Sequence, residues 1–277
     1  MPELPEVESL RRLLAASLVG RRIVAAQVAE RRLRRPLAEN LAHQLTAATI
    51  QGVRRRAKYL LLDLSGERIL MVHLGMSGSL THRGHEFDDS YFNPAHDHVR
   101  MKLDDGTALV YNDPRRFGLM KLGRAAEIES STELRLLGPE PLSEHFHPAY
   151  LAARARGRKT AIKNLLMDQR VVAGVGNIYA SELLFLAGVR PQRRAGRVTR
   201  AEFERIVAAT ARVLSEAIGE GGTTFRSYRD SRGQPGRFMR RLQVYGREGE
   251  PCYRCHNKVV SRLVGQRSSF YCATCQR

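Results

Sequence analysis

The sequence predicts an α+β multidomain protein: an N-terminal antiparallel β-sandwich with a flanking helix, then a helical domain, then a small C-terminal β-hairpin finger. Three observations carry this. Six short apolar runs rich in β-branched residues crowd the first half, helix-period patterns take over after about residue 149, and all four cysteines fall in the last 26 residues. A chain of 277 residues exceeds one ordinary core, so several domains are expected.

The elements follow in order. Val7, Leu10, Leu14 and Leu18 form one stripe of an amphipathic helix from about Pro5 to Val19, which Gly20 stops. Strand-like runs come next at Ile23–Val28, Tyr59–Leu64, Ile69–Leu74, Val99–Leu103, Leu109–Tyr111 and Phe117–Leu122. Turns at Ser65-Gly66 and Asp104-Asp105-Gly106 mark antiparallel hairpins, so 59–74 and 98–113 should each pair locally. Leu137-Gly-Pro-Glu-Pro-Leu142 reads as a linker, followed by helical patterns at 149–155, 160–167, 177–187 and 199–219. The expected division is residues 1–134 for the β-sandwich domain, 135–150 for the linker, 151–235 for the helical domain and 242–277 for the finger.

Cys252-x2-Cys255 and Cys272-x2-Cys275, with 16 residues between the pairs, have the spacing of a tetrahedral zinc site in which a hairpin brings two turns together. Two disulfides are the other use of four cysteines, which a reducing compartment disfavours. With four thiolates there is no open coordination position, so one structural zinc ion is expected. Lys258, Arg262 and Arg267 place cations on that hairpin.

Charge is placed asymmetrically. Residues 1–150 hold 21 Lys+Arg against 19 Asp+Glu, whereas residues 151–277 hold 25 against 9. An excess of this size points to a polyanion such as nucleic acid, a solvated basic surface being the blander reading. Arginine supplies all but six of the basic residues, so the few lysines mark places where a compact or titratable amine is wanted. No uncharged apolar run approaches membrane-spanning length, and acids stand at the N terminus where a signal peptide carries bases. A soluble cytoplasmic protein with no membrane partner is expected.

Two local features have both a structural and a chemical reading. Met1-Pro-Glu-Leu-Pro-Glu-Val7 can simply start a helix, with prolines in the first turn and acids facing the dipole. Removal of Met1 would also expose Pro2 as a secondary amine of ordinary pKa about 8, a nucleophile whose adduct with an aldehydic carbon is a cationic iminium. Asn177, in Val175-Gly-Asn-Ile178, stands at or near a helix N-cap, either as a cap or as part of a phosphate seat beside Arg158 and Lys159. The glycine-rich stretch from Gly219 reads as a loop over a ligand or as a linker.

Several ordered segments resemble the bacterial formamidopyrimidine-DNA glycosylases from end to end. They are Pro2-Glu-Leu-Pro-Glu-Val-Glu8, Lys58-Tyr-Leu-Leu-Leu62, His73-Leu-Gly-Met-Ser-Gly78, Asp113-Pro-Arg-Arg-Phe-Gly118, Gly174-Val-Gly-Asn-Ile-Tyr-Ala-Ser-Glu182 and the four-cysteine ribbon. The resemblance implies a helix-two-turn-helix domain and a monomeric bacterial repair enzyme working at the nucleoid. Such an enzyme removes oxidised purines, 8-oxoguanine and formamidopyrimidines, from double-stranded DNA and nicks the abasic strand by β,δ-elimination.

Carried over by position, the resemblance makes Pro2 the nucleophile, Glu3 the general acid/base, Glu6 a supporting contact and Lys58 a proton donor that also binds phosphate. Met76, Arg115 and Phe117 would fill the void left by the everted base. His96, Arg115, Arg116, Arg158, Lys159 and Asn177 would contact DNA. Arg267, a proton donor in the family scheme, fits electrostatic positioning better because its pKa is high. A lesion loop at about 219–235 would include Thr223, Thr224, Phe225, Arg226, Ser227 and Tyr228, although the Phe225–Arg229 run matches no family motif. The rival readings are an endonuclease VIII-type glycosylase for oxidised pyrimidines and a non-catalytic zinc-ribbon DNA-binding protein.

Overall fold

The computed structural model describes residues 2–29, 32–84, 93, 95–223 and 237–277. The chain divides into two compact units: Met1–Arg135 with Ile218–Met239, and Leu136–Ala217 with Arg240–Arg277.

The first unit opens with helix α1 (Leu4–Leu18). Val7, Leu10, Leu14 and Leu18 are all buried in one core, each worth roughly 1.5–3 kcal/mol of transfer free energy. Strands β1 (Ile23–Val28), β2 (Ile50–Arg56), β3 (Tyr59–Leu64) and β4 (Arg68–His73) follow, with the short helix α2 (Leu41–Leu45) between β1 and β2. Then come β5 (Ser79–Arg83), β6 (Asp97–Leu103), β7 (Ala108–Asn112) and β8 (Leu119–Arg124), closed by helices α3 (Ala125–Glu129) and α4 (Thr132–Arg135). They build two four-stranded antiparallel sheets, in order β1-β6-β7-β5 and β2-β3-β4-β8. Their apolar residues, with those of α1 and α2, share a single core. The expected local hairpins are present as β3–β4 and β6–β7.

Two strands went unpredicted. β2 has the sequence Ile-Gln-Gly-Val-Arg-Arg-Arg, in which a register shift between Ile50 and Gly52 breaks the alternation and leaves only Ile50 and Val53 buried beside three arginines, and β5 contributes only Leu80 to the core. Phe117 was expected to begin the last strand, but β8 starts at Leu119. Arg116 adopts a left-handed φ of 56°, which interrupts extension just before Phe117.

The second unit contains α5 (Pro148–Ala155), α6 (Ile162–Met167), α7 (Asn177–Ala187) and most of α8 (Arg200–Gly219). Its finger is the hairpin β9 (Val259–Val264) and β10 (Arg267–Cys272), paired Arg267 to Val264 around a two-residue turn. Gly265 and Gln266 both have positive φ there, the requirement of the turn type that matches strand twist. Phe185 of α7 packs with Val244, Val259, Cys252 and Cys272, so the finger shares a small core with the helices. Among the described residues, no helix is long and apolar enough to cross a membrane.

Candidate active site and nucleic-acid interface

Pro2 and Glu3 are buried immediately before α1. Glu6, one turn into the helix, accepts the Glu3 backbone N–H at 2.8 Å through Oε2 and the Thr223 N–H at 2.6 Å through Oε1. One carboxylate therefore ties the amino-terminal segment to the stem of the expected lesion loop. Gly222 makes the approach possible: its φ is +82°, and a Cβ there would stand 2.7 Å from Glu6 Oε1. The rest of that loop, Thr224, Phe225, Arg226, Ser227 and Tyr228 included, lies outside the described residues.

Lys58 occupies the tip of the β2–β3 hairpin and is buried. Glu8 fixes that hairpin to α1. Its carboxylate is 3.0 Å from Arg55 Nε, and Arg55 in turn donates to the carbonyl of Ala57 at 3.0 Å. His73, at the end of β4, packs against Tyr59 with ring centroids 4.8 Å apart and planes tilted by 50°. Burial first, then the charges of Lys58 and Arg34, push its imidazole down to about 4. The ring is neutral at pH 7, with Nδ1 accepting the Gly75 N–H at 3.0 Å, so the proton belongs on Nε2. A neutral donor beside a lysine suits a phosphate oxygen, and His73 was not among the residues that sequence reading assigned to phosphate.

Met76, Arg115 and Phe117 stand on two neighbouring turns. Met76 is 36% and Phe117 45% exposed, which sets aside core packing as their purpose. The Arg115 guanidinium lies 4.7 Å above the Phe117 ring. Beneath them is the fully buried Asp113. Its Oδ1 accepts from Ser77 Oγ at 2.6 Å, and its Oδ2 from the Gly118 N–H at 2.7 Å and the Tyr111 hydroxyl at 3.4 Å. Burial and the Asp113 carboxylate push the Tyr111 phenol well above its ordinary range, so it stays a donor. His96 and Arg116 are exposed on the same face-forming segments: the His96 carbonyl accepts from Asp113 N, and Arg116 N donates to the Asp113 carbonyl.

The second unit presents its own cations. Arg158 and Lys159 are exposed in the α5–α6 connection. Asn177 is the first helical residue of α7, the N-cap being Gly176, since the flexible glycine takes the extended cap conformation. The Asn177 amide donates to the Ser268 carbonyl at 3.1 Å and the Tyr245 hydroxyl at 3.3 Å. Lys163, wholly buried on α6, donates to the Ser268 carbonyl at 3.1 Å and Ser269 Oγ at 2.7 Å. Asn177 and Arg267 are thereby brought together through the strand residue that follows Arg267. Arg267 itself is exposed at the hairpin end.

Glu182, buried on α7, accepts three backbone N–H groups, from Gln243, Val244 and Tyr245, at 2.8, 3.0 and 2.8 Å. Burial raises its pKa, against the pull of those donors. Lys163, Glu182 and Tyr245 were missed as site-builders. The scarcity of lysine was the one sequence signal that pointed to Lys163.

Cys252, Cys255, Cys272 and Cys275 are free thiols whose sulfurs all lie within 4.8 Å of one another. The pairs 252/275 and 255/272 stand 3.9 and 3.4 Å apart. A tetrahedral ion with metal–sulfur bonds of about 2.3 Å separates its sulfurs by about 3.8 Å, so the cluster fits a metal.

A buried Pro-Glu segment leading into α1 on a β-sandwich, exposed Met76 and Phe117 beside Arg115, and a basic helical unit with a cysteine finger are the features of a DNA-processing enzyme. Comparison with known proteins gives the family. The description "Formamidopyrimidine-DNA glycosylase N-terminal domain" matches residues 1–120, and "Formamidopyrimidine-DNA glycosylase H2TH domain" matches residues 137–229. The formamidopyrimidine-DNA glycosylase of Syntrophotalea carbinolica is 49% identical over 278 residues, covering all of both chains. A Lactococcus lactis variant bound to DNA containing Fapy-dG superposes with a TM-score of 0.91 at 32% identity, covering 100% of each chain. The Lactococcus lactis protein with DNA containing an abasic site gives 0.90 at 33%, covering 99% of each. The chain belongs to the formamidopyrimidine-DNA glycosylase family of base-excision repair enzymes, bifunctional glycosylase/abasic-site lyases.

Proposed function

We propose that this chain excises 8-oxoguanine and formamidopyrimidines from duplex DNA through Pro2, then cleaves the abasic strand. The observation that carries this reading is the buried Pro2-Glu3 start of α1, held by Glu6. With Met1 removed, the Pro2 nitrogen attacks C1′ of the lesion nucleotide as the C1′–N bond to the base breaks. Glu3 protonates the sugar ring oxygen, the ring opens, and an iminium forms between Pro2 and C1′. The iminium accepts electrons, so loss of a 2′ proton expels the 3′ phosphate and a further elimination expels the 5′ phosphate. Hydrolysis then frees the amine.

Lys58 would hold the phosphate near the sugar and act as proton donor, and neutral His73 would donate a hydrogen bond to it. Met76 and Phe117 would enter the stack while Arg115 hydrogen-bonds the orphaned base, preferably cytosine. His96, Arg116, Arg158, Lys159, Asn177 and Arg267 would bind the backbone, and residues 223–228 would contact the everted base. The four cysteines would hold one zinc ion, which supplies folding free energy to the finger and no open coordination position. The protein would work as a monomer at the nucleoid in the cytoplasm.

The test is incubation with an 8-oxoguanine:cytosine duplex and borohydride, beside a thymine-glycol duplex, with mass spectrometry of the N terminus. A reduced adduct at Pro2, formed faster on 8-oxoguanine, is expected. Tight binding without adduct or cleavage would reject the enzyme, and preference for thymine glycol would favour the oxidised-pyrimidine reading. A retained Met1 would make Pro2 nitrogen an amide and abolish the adduct.

A further inference from the structure

We propose that the Asp113 carboxylate is a positioning residue that holds Met76, Arg115 and Phe117 as one preformed wedge. The inference rests on the void-filling reading of those three side chains. They come from two separate turns, 74–78 and 113–118, and a wedge entering stacked bases needs them in a fixed mutual geometry. Asp113, in the second turn, binds Ser77 of the first and Gly118 at the far end of its own.

Each connection is specific. Oδ1 accepts the Ser77 hydroxyl at 2.6 Å, one residue from Met76. Oδ2 accepts the Gly118 N–H at 2.7 Å, one residue from Phe117. Ser77 Oγ also lies 3.3 Å from the Arg115 N–H, so the hydroxyl that donates to Asp113 accepts from the second turn. The backbone of Asp113 extends the junction: its N–H donates to the His96 carbonyl at 2.9 Å, and its carbonyl is 2.8 Å from His98 Nε2. Gly118 leaves no alternative packing, because a Cβ there would collide with the Tyr111 hydroxyl and stand 2.7 Å from the His73 carbonyl. Both side-chain oxygens of this fully buried residue accept, one from Ser77 and one from Gly118.

Asp113→Asn keeps the shape but replaces one acceptor oxygen with a donor, so one of the two turns loses its hold. Excision of 8-oxoguanine from duplex DNA, measured in single turnover, should fall about tenfold to a hundredfold, the cost of a misplacement near 1 Å. Strand cleavage at a preformed abasic site in single-stranded DNA, which has no void to fill, should change less than about threefold. Phe117→Ala and Arg115→Ala should show the same selectivity. Adding Asp113→Asn to Phe117→Ala should cost much less than it does alone, because both act through one wedge. Thermal unfolding confirms that the compared proteins are folded. If Asp113→Asn does not fold, Ser77→Ala carries the test, since it leaves the carboxylate and cuts only the link to the Met76 turn.

Equal loss on both substrates, or no loss on the duplex while Phe117→Ala loses activity, would overturn the assignment of Asp113. Full duplex activity in both Phe117→Ala and Arg115→Ala would instead overturn the wedge reading itself.

Discussion

Arg267 offers the most quantitative check on the DNA-binding surface. It flanks the β9–β10 turn, exposed and with no hydrogen-bond or ion-pair partner for its guanidinium among the described residues. No internal pair must break before it meets a phosphate. Each phosphate neutralised on B-DNA contributes about 0.9 to the slope of log K against log salt. Arg267→Ala should therefore lower the slope by about 0.9. Relative to 1 M salt, that one contact is worth about 15-fold in affinity at 50 mM and about fourfold at 200 mM. The defect should thus shrink about 3.5-fold across this range, whereas a lost base contact would give a defect insensitive to salt. The assay is a salt titration of binding to a duplex with a non-cleavable abasic analogue, with Arg200→Ala as comparison. Arg200 is already paired with Glu204 at 3.3 Å, so its loss should leave the slope nearly unchanged. An unaltered slope in Arg267→Ala would refute the phosphate assignment, and loss of metal from that variant would refute its placement outside the cysteine cluster.

Two further outcomes follow from the site. His73 is held at about 4 when folded against an ordinary 6.5, so the unfolded chain gains a proton first as pH falls. Stability from this group is intact above about pH 6.5 and lost progressively down to about pH 4, by up to roughly 3 kcal/mol. Chemical denaturation at pH 7.5 and 5 should show a smaller acid loss for His73→Gln than for the parent, and an identical loss would refute the neutral buried ring. Cys255→Ser should reduce metal content from one zinc per chain to near zero in elemental analysis and abolish duplex binding; an active parent protein devoid of metal would reject the structural-zinc proposal.

How much of this was legible in the sequence depended on the range of the interaction concerned. α1, β1 and β3 were readable because their periodicity is local, with Val7, Leu10, Leu14 and Leu18 marking a buried stripe and the run at 59–64 a strand interior. β2 and β5 were not, because a strand that exposes one face to water while carrying three arginines, or that buries only Leu80, has little hydrophobic signal of its own. It is fixed by its partners, Ile50 to Leu64 or Leu80 to Tyr111. The candidate site divides the same way. The cysteines are recognisable by their chemistry and short spacing, whereas Pro2, Glu3 and Lys58 took their roles from the family resemblance, since local reading alone favoured a helix start and a surface lysine.

The groups that hold those residues in place are recognisable only once distant segments meet. Asp113 meets Ser77 across 36 residues, Glu182 meets Val244 across 62, and Lys163 meets Ser269 across 106. Each is a buried polar side chain, costly unless hydrogen-bonded, and its bonds run to backbone or hydroxyl groups of a loop or hairpin. A salt bridge would leave those loops free to move as a pair with either partner. A polar group satisfied by the loop itself can keep its bonds only while the loop keeps its shape, which suits the turns proposed to present Met76, Phe117 and Arg267 to DNA without first being ordered by it.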